Sequence, residues 1–259
     1  MRKIILSAVA AVALTAGAAQ ASGEAVELDK QDWSFNGLFG HYDQAQLKRG
    51  FQIYKEICAG CHSLRLVAYR NLQAIGFTED EVKEIAAEYE VPAGPNEFGE
   101  IIEDGELRKR PAKPSDKFVP PFANELAAKA GNGGALPPDL SLMNKARKGG
   151  PDYVYSLLTG YLEEPPEGVE MPDTMYYNKV FPGHQISMAP PLYEEAVEYE
   201  DGTAPTLDNH AKDVVAFLNW AAEPELEERK SMGLKVMIFL IVLTAMFYAL
   251  KRRIWADVH

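Results

Sequence analysis

The sequence predicts a mainly α protein with long loop insertions and one C-terminal transmembrane helix. Three observations carry this. Apolar residues recur at helical spacing, at Leu47, Phe51, Tyr54 and Cys58 and again at Val214, Leu218 and Ala221. Met232 to Leu250 form a run of 19 residues with one charge, Lys235. No alternating strand pattern persists for more than a few residues, and no internal repeat is visible.

The two ends of the 259-residue chain set its topology. At the N-terminus Arg2 and Lys3 precede an apolar stretch, Ile4 to Ala18, and Ala19-Gln20-Ala21 fits a small-x-small cleavage site. Residues 1–21 therefore read as a cleaved signal peptide, and the mature chain begins near Ser22 on the far side of a membrane. At the C-terminus the apolar run rises roughly 28 Å as a helix, enough to cross a hydrocarbon core. Lys235 lies near its start and can snorkel. Lys251, Arg252 and Arg253 follow the run and stay cytoplasmic by the positive-inside rule. The domains expected are thus a head over 22–229, an anchor over 230–253 and a cytoplasmic tail over 254–259.

The chain carries a net charge of −12, which argues against a nucleic-acid surface. Residues 22–229 alone carry −18. A head this acidic attracts a basic soluble partner, although a generic solubility surface has the same composition.

The only two cysteines stand in "YKEICAGCHSLR", as Cys58 and Cys61, with His62 next to the second. Three chemistries compete for this spacing. A disulfide of such short span stabilises little. A redox dithiol needs a strand before it, and the segment before Cys58 is helical, with Asp43 and Gln46 resembling a capping box at its start. The third is C-x-x-C-H attachment of a c-type haem, in which two thioethers and one imidazole meet a single rigid macrocycle. It accounts for all three residues, and His62 is then the proximal iron ligand.

A sixth ligand must be found or excluded, since an open position favours ligand chemistry over electron transfer, and the candidates are Met143, Met171, Met175, Met188 and His184. Met188 sits in "GHQISMAPPLY", where two prolines stiffen the chain and hold a thioether in place. That restriction favours Met188. Met171 lies in an acidic loop, Met143 reads as core, and His184 keeps a bis-histidine alternative open.

Between the helical segments, residues 90–122 are rich in Pro, Gly and acids and read as a long loop or insertion with little regular structure. Residues 131–153 combine a Gly-rich turn, a Pro pair and a basic run, with Asn132, Arg147 and Tyr153 as polar groups able to meet haem propionates. Taken alone, Arg147 reads as a surface cation and Tyr153 as part of a helix. Asp208 is the expected cap of the next helix, Pro224 its break, and a last helix is expected to run from about Glu225 into the membrane span.

Five stretches together resemble the cytochrome c1 family, the haem subunits of quinol–cytochrome c reductase (cytochrome b-c1) complexes. They are residues 33–64, "GNGGALPPDLSL" (131–142), "GGPDYVYSLLTGY" (149–161), "MYYNKVFPGHQISMAPPL" (175–192) and the anchor run, 232–250. The resemblance implies the c-type cytochrome fold with long insertions, in which helices near 44–59 and 209–222 pack against each other beside one covalently bound haem c. It implies Cys58 and Cys61 as the covalent attachment points, His62 and Met188 as the axial ligands, and Asn132, Arg147 and Tyr153 at the haem edge and propionates. It implies insertions held by packing and turns, since no further cysteine pair is present.

The function implied is one-electron relay, from a Rieske iron–sulfur protein to a soluble or anchored c-type cytochrome, in a respiratory or photosynthetic complex with cytochrome b that is dimeric. No substrate bond is broken in such a subunit, so it is not an enzyme by itself. The location implied is the bacterial inner membrane, single-pass, with the head periplasmic. Acidic stretches 97–106 and 163–170 are candidates for docking the acceptor. The rival classes are a membrane-anchored haem peroxidase, which needs an open iron, a thiol–disulfide oxidoreductase, which needs free thiols, and a haem subunit of a terminal oxidase.

Overall fold

The computed structural model describes residues 26–256, so the leader read at 1–21 and the last three residues of the tail lie outside it. Helix α1 spans Gln44–Glu56. It starts where the Asp43 carboxylate accepts from the Ala45 and Gln46 amides, at 2.9 and 3.3 Å. Its buried face is Leu47, Gly50, Phe51, Ile53 and Tyr54. The helix stops three residues short of the expected 59 because the chain tightens into a 3-10 turn at Cys58–Gly60. The Cys58 carbonyl then accepts from both Cys61 and His62, at 3.2 and 2.9 Å.

The partner of α1 is helix α6, Leu207–Ala222, as expected. Almost all of α6 is buried from His210 to Ala221, so it is the central helix rather than a one-faced one. Thr206 is its cap, accepting from the Asn209 amide at 3.2 Å. Asp208, the expected cap, instead sits in the first turn and accepts from Tyr155 Oη (2.7 Å) and Lys212 Nζ (2.8 Å). A tertiary partner outcompetes the local cap there.

Gly50 sets the α1–α6 distance. A Cβ at this position collides with the Asp213 carbonyl oxygen and comes within 2.7 Å of Phe217 Cβ. Arg49 next door clamps the same crossing through Asp213 (2.7 Å) and Asp201 (2.9 Å). Gly50→Ala is expected to cost about 3 kcal/mol, the upper part of the overpacking range, because backbone cannot retreat as a side chain can. For a head of this size that is a melting temperature lower by about 6–12 °C. Thermal unfolding of the full chain in detergent checks it, and a shift under about 2 °C would mean the helices part at no cost.

Shorter elements surround this pair. Helix α2, Glu79–Ala87, opens on a Thr78/Glu81 capping box and packs on a 3-10 helix at Tyr69–Ile75. Helix α3 is Glu125–Gly131. Helices α4, Met143–Ala146, and α5, Pro151–Thr159, lean on α6, with Asn144 Nδ2 donating to the Val215 carbonyl at 3.0 Å.

The segment 90–122 is more regular than expected. Strands β1 (Glu90–Pro92) and β4 (Lys109–Pro111) pair antiparallel, and β2 (Ile102–Glu103) with β3 (Glu106–Leu107) form an inner hairpin between them. Asp104 and Gly105 both have positive φ, 51° and 86°, as a two-residue hairpin turn requires. A third hairpin joins β5 (Tyr176–Tyr177) to β6 (Gln185–Ile186).

Helix α7 runs unbroken from Leu226 to Ile254, 29 residues and about 43 Å. It is long and apolar enough to cross a membrane, and none of its most apolar window is buried by the rest of the chain. Its first turns are fastened to the head. Leu226 is buried, Glu227 Oε1 accepts from the Tyr42 amide at 2.7 Å, and Lys230 Nζ donates to the carbonyls of Phe35 (2.6 Å) and Gly40 (3.1 Å). Asn219 of α6 donates to Tyr42 Oη at 2.9 Å.

Candidate haem site

Cys58, Cys61 and His62 occupy the turn that ends α1. Both thiols are free, with Cys58 packed on the core and Cys61 exposed. Burial pushes the Cys58 thiol up to about 12, and Cys61 adds in the same direction. A thiol held protonated is a poor nucleophile, which argues against thiol–disulfide exchange by this pair.

His62 is half-buried and oriented. Its Nδ1 lies 2.8 Å from the Pro138 carbonyl oxygen, an acceptor only, so Nδ1 carries the hydrogen and Nε2 keeps its lone pair. Burial lowers the imidazole pKa below its usual value, with the Pro138 bond and Asp139 opposing, so the ring is neutral near pH 7. A neutral imidazole with one nitrogen tied back is the form that ligates a metal.

The turn is zipped to residues 138–141. Leu140 donates its amide to the Ser63 carbonyl at 2.9 Å. The Asp139 carboxylate accepts from Ser63 Oγ (2.8 Å), the Arg65 amide (2.9 Å), the Ser141 amide (2.9 Å) and Arg65 Nε (3.3 Å). Ser141 Oγ accepts from the Leu66 amide at 3.0 Å. Pro138 and Asp139 are thus supports of the site that sequence reasoning missed. The only local trace of them is the Asp-x-Ser turn at 139–141. Beside Cys61 opens a cleft of about 270 Å³, lined by Ser63, Arg65, Pro120, Phe122, Leu136 and Pro137.

Met188 stands in a separate loop, just after β6. It is half-buried, and its carbonyl oxygen accepts from Tyr161 Oη at 3.0 Å. Of its competitors, Met143 packs on the hydrophobic core. His184 is exposed, stacks on Tyr177 and places Nδ1 3.2 Å from the Asn178 carbonyl oxygen.

The three propionate candidates are divided. Arg147, exposed, and Tyr153, half-buried, lie together, since the Arg147 guanidinium acts on the Tyr153 hydroxyl against the upward push of burial. Asn132 spends its amide nitrogen locally, donating to the Ala128 carbonyl at 2.7 Å at the end of α3.

The donor set fits a covalently attached haem. Two unpaired thiols stand three residues apart, an imidazole with a free Nε2 adjoins them, and a cleft with both polar and apolar walls borders the second thiol. Among the described residues no group of three or more His, Cys, Asp or Glu side chains is placed to hold a bare metal ion.

Comparison with known proteins gives a consistent result. The Cytochrome C1 family model matches residues 33–258. The chain is 54% identical to cytochrome c1 of Rhodospirillum rubrum, over 99% of this chain and 97% of the relative. It is 49% identical to the mitochondrial cytochrome c1 heme protein of Schizosaccharomyces pombe, over 91% and 74%. It is 42% identical to a protein of Bradyrhizobium diazoefficiens named cytochrome b/c1, over 99% of this chain but 40% of that longer one.

Proposed function

The chain belongs to the cytochrome c1 family, and from that premise we propose that it relays single electrons from a Rieske iron–sulfur protein to a c-type cytochrome. The family carries one covalently bound c-type haem and supplies the haem subunit of the cytochrome b-c1 complex. The partners this implies are cytochrome b and the Rieske protein. The relative that joins b and c1 under one name supports the first. The complex is dimeric in this reading, and the subunit is not an enzyme by itself.

The observation that carries the assignment is the oriented His62 beside two free thiols, in a chain matched almost end to end by the family. When bound, the haem supplies a reversible one-electron couple. The chain's own residues do the rest. Cys58 and Cys61 would hold the macrocycle by thioethers, and His62 Nε2 and Met188 Sδ would ligate the iron. Pro138 holds the His62 ring. Arg147 and Tyr153 would meet the propionates as a pair, and Asn132 would join them only by releasing its amide from the Ala128 carbonyl. The head over 22–229 is periplasmic, α7 provides a single-pass anchor over 230–253 in the bacterial inner membrane, and residues 254–259 are cytoplasmic. The acidic surface, with 97–106 at the tip of the β ribbon and 163–170 on an exposed loop, favours a basic acceptor.

The experiment is purification from the native membrane in mild detergent through a tag on the C-terminal tail, followed by redox difference spectra. Co-purifying b-type haem and a Rieske centre, with quinol reducing the c-type haem, are the expected results. A lone c-type haem under conditions that keep membrane complexes intact would make the protein a free-standing anchored carrier.

A further inference from the structure

The segment that carries Met188 is pinned at both ends. At one end Tyr161 Oη donates to the carbonyl oxygen of Met188 itself, at 3.0 Å. At the other end His210 of α6, fully buried, sets Nδ1 3.3 Å from the Tyr193 carbonyl oxygen and Nε2 3.0 Å from that of Val197. Whichever ring nitrogen carries the hydrogen donates to main chain of the segment that follows Met188. Between the pins lie Pro190 and Pro191, with φ fixed by their rings, and Leu192, whose side chain is buried in the core. Residues 188–193 are therefore a strut with few free rotations.

The near pin is itself well mounted. Tyr161 bridges antiparallel to Asn178, which is completely buried. Asn178 donates its amide to the Leu157 carbonyl (2.8 Å) and accepts from the Val180 and Phe181 amides (2.9 and 3.1 Å). This ties the end of α5 to the hairpin that leads into Met188.

We propose that Tyr161 and His210 are positioning residues that hold the Met188 thioether at the distal face of the iron. The inference rests on Met188 being the distal ligand. A neutral thioether brings no charge to its bond with iron, so its retention depends on how firmly the chain holds it. The Tyr161 bond lands on the ligand residue's own backbone, and between the pins only Ala189 lacks a ring or a place in the core.

The test uses the full chain in its purified membrane complex, with carbon monoxide as the probe of the reduced iron. The variants are Tyr161→Phe, His210→Gln and, as reference, Met188→Leu. Met188→Leu is expected to bind carbon monoxide fully. Tyr161→Phe is expected to keep its haem content, to combine with carbon monoxide about tenfold faster than the parent, and to show a lowered midpoint potential. Tenfold corresponds to loss of one hydrogen bond worth about 1.4 kcal/mol. His210→Gln should move both readings the same way. If Met188→Leu opens the iron while Tyr161→Phe keeps the parental rate and potential, the positioning role is overturned and the ligand assignment stands. If Met188→Leu leaves the iron closed, the ligand assignment falls first and this inference falls with it. Should His210→Gln fail to accumulate, the nearly isosteric Tyr161→Phe decides alone.

Discussion

Replacing Met188 with leucine is expected to lower the haem midpoint potential by on the order of 0.1–0.3 V, a fraction of the ~0.8 V over which axial ligands tune haem. Leucine nearly matches methionine in volume, so the packing cost stays below about 1.5 kcal/mol and the head remains folded. What the variant removes is the thioether, which raises the potential of a His-ligated iron. At 59 mV per tenfold change for one electron, the shift is roughly two to five decades in equilibrium constant. Reduction by a donor of higher potential then stops, and with it reduction of the acceptor. Redox titration and quinol-driven acceptor reduction read the two effects separately. A potential within about 20 mV of the parent would remove Met188 from the site and leave His184, four residues earlier, as the first alternative.

The second large effect is expected at Asp139, which touches neither thiol nor imidazole. Asp139→Ala takes the acceptor from Ser63, Arg65 and Ser141 at once. Hydrogen bonds to a charged group contribute about 1.5–3 kcal/mol each, and water replaces part of that at a half-buried carboxylate, so a loss of about 3 kcal/mol is expected. The local consequence matters more. Pro138, whose carbonyl orients His62, is the preceding residue, so the variant should also carry a smaller fraction of covalently attached haem. Asp139→Asn, which keeps one oxygen, should fall between. Burial pushes the Asp139 carboxyl up, but the hydrogen bonds from Ser141, Arg65 and Ser63 outweigh it and hold the pKa below the usual value. A depressed carboxyl contributes its stability above about pH 4, the unfolded value, and loses it as pH falls further. The alanine variant should therefore lack part of the parent's acid-induced melting in that window. Equal melting temperatures for variant and parent at pH 7 would show that the zip carries no load.

What could be read from the sequence was whatever depends on local periodicity or on residues adjacent in the chain. The faces of α1 and α6, the unbroken α7 and the C-x-x-C-H turn all belong here. The cap of α6 does not. Thr206 and Asp208 are both good caps by type, and the choice is made by Tyr155, 53 residues away in sequence from Asp208. The support of His62 is equally hidden, since Pro138 lies 76 residues away and acts through its backbone. The β ribbon is a different case. Its Asp104-Gly105 turn is a standard hairpin signal, but the surrounding Pro, Gly and acidic residues made the stretch read as loop. Asn132 matched the family pattern, yet in this structure its amide serves the end of α3.

The fastening of α7 to the head limits where motion can arise. Only Glu223, Pro224 and Glu225 separate the end of α6 from the start of α7, and the first turns of α7 are bonded to residues 35–42. A flexible tether of n residues sweeps about 5–6 Å × √n, and here there is no tether to sweep. With α7 set in a bilayer as proposed, the head would stand like a lamp on a fixed mast, its bearing set by the tilt of a single post. In the proposed relay, a donor approaching the haem would then have to do the travelling itself. Lengthening the three-residue junction would let the lamp swing, and encounters would then be spread over many orientations instead of one.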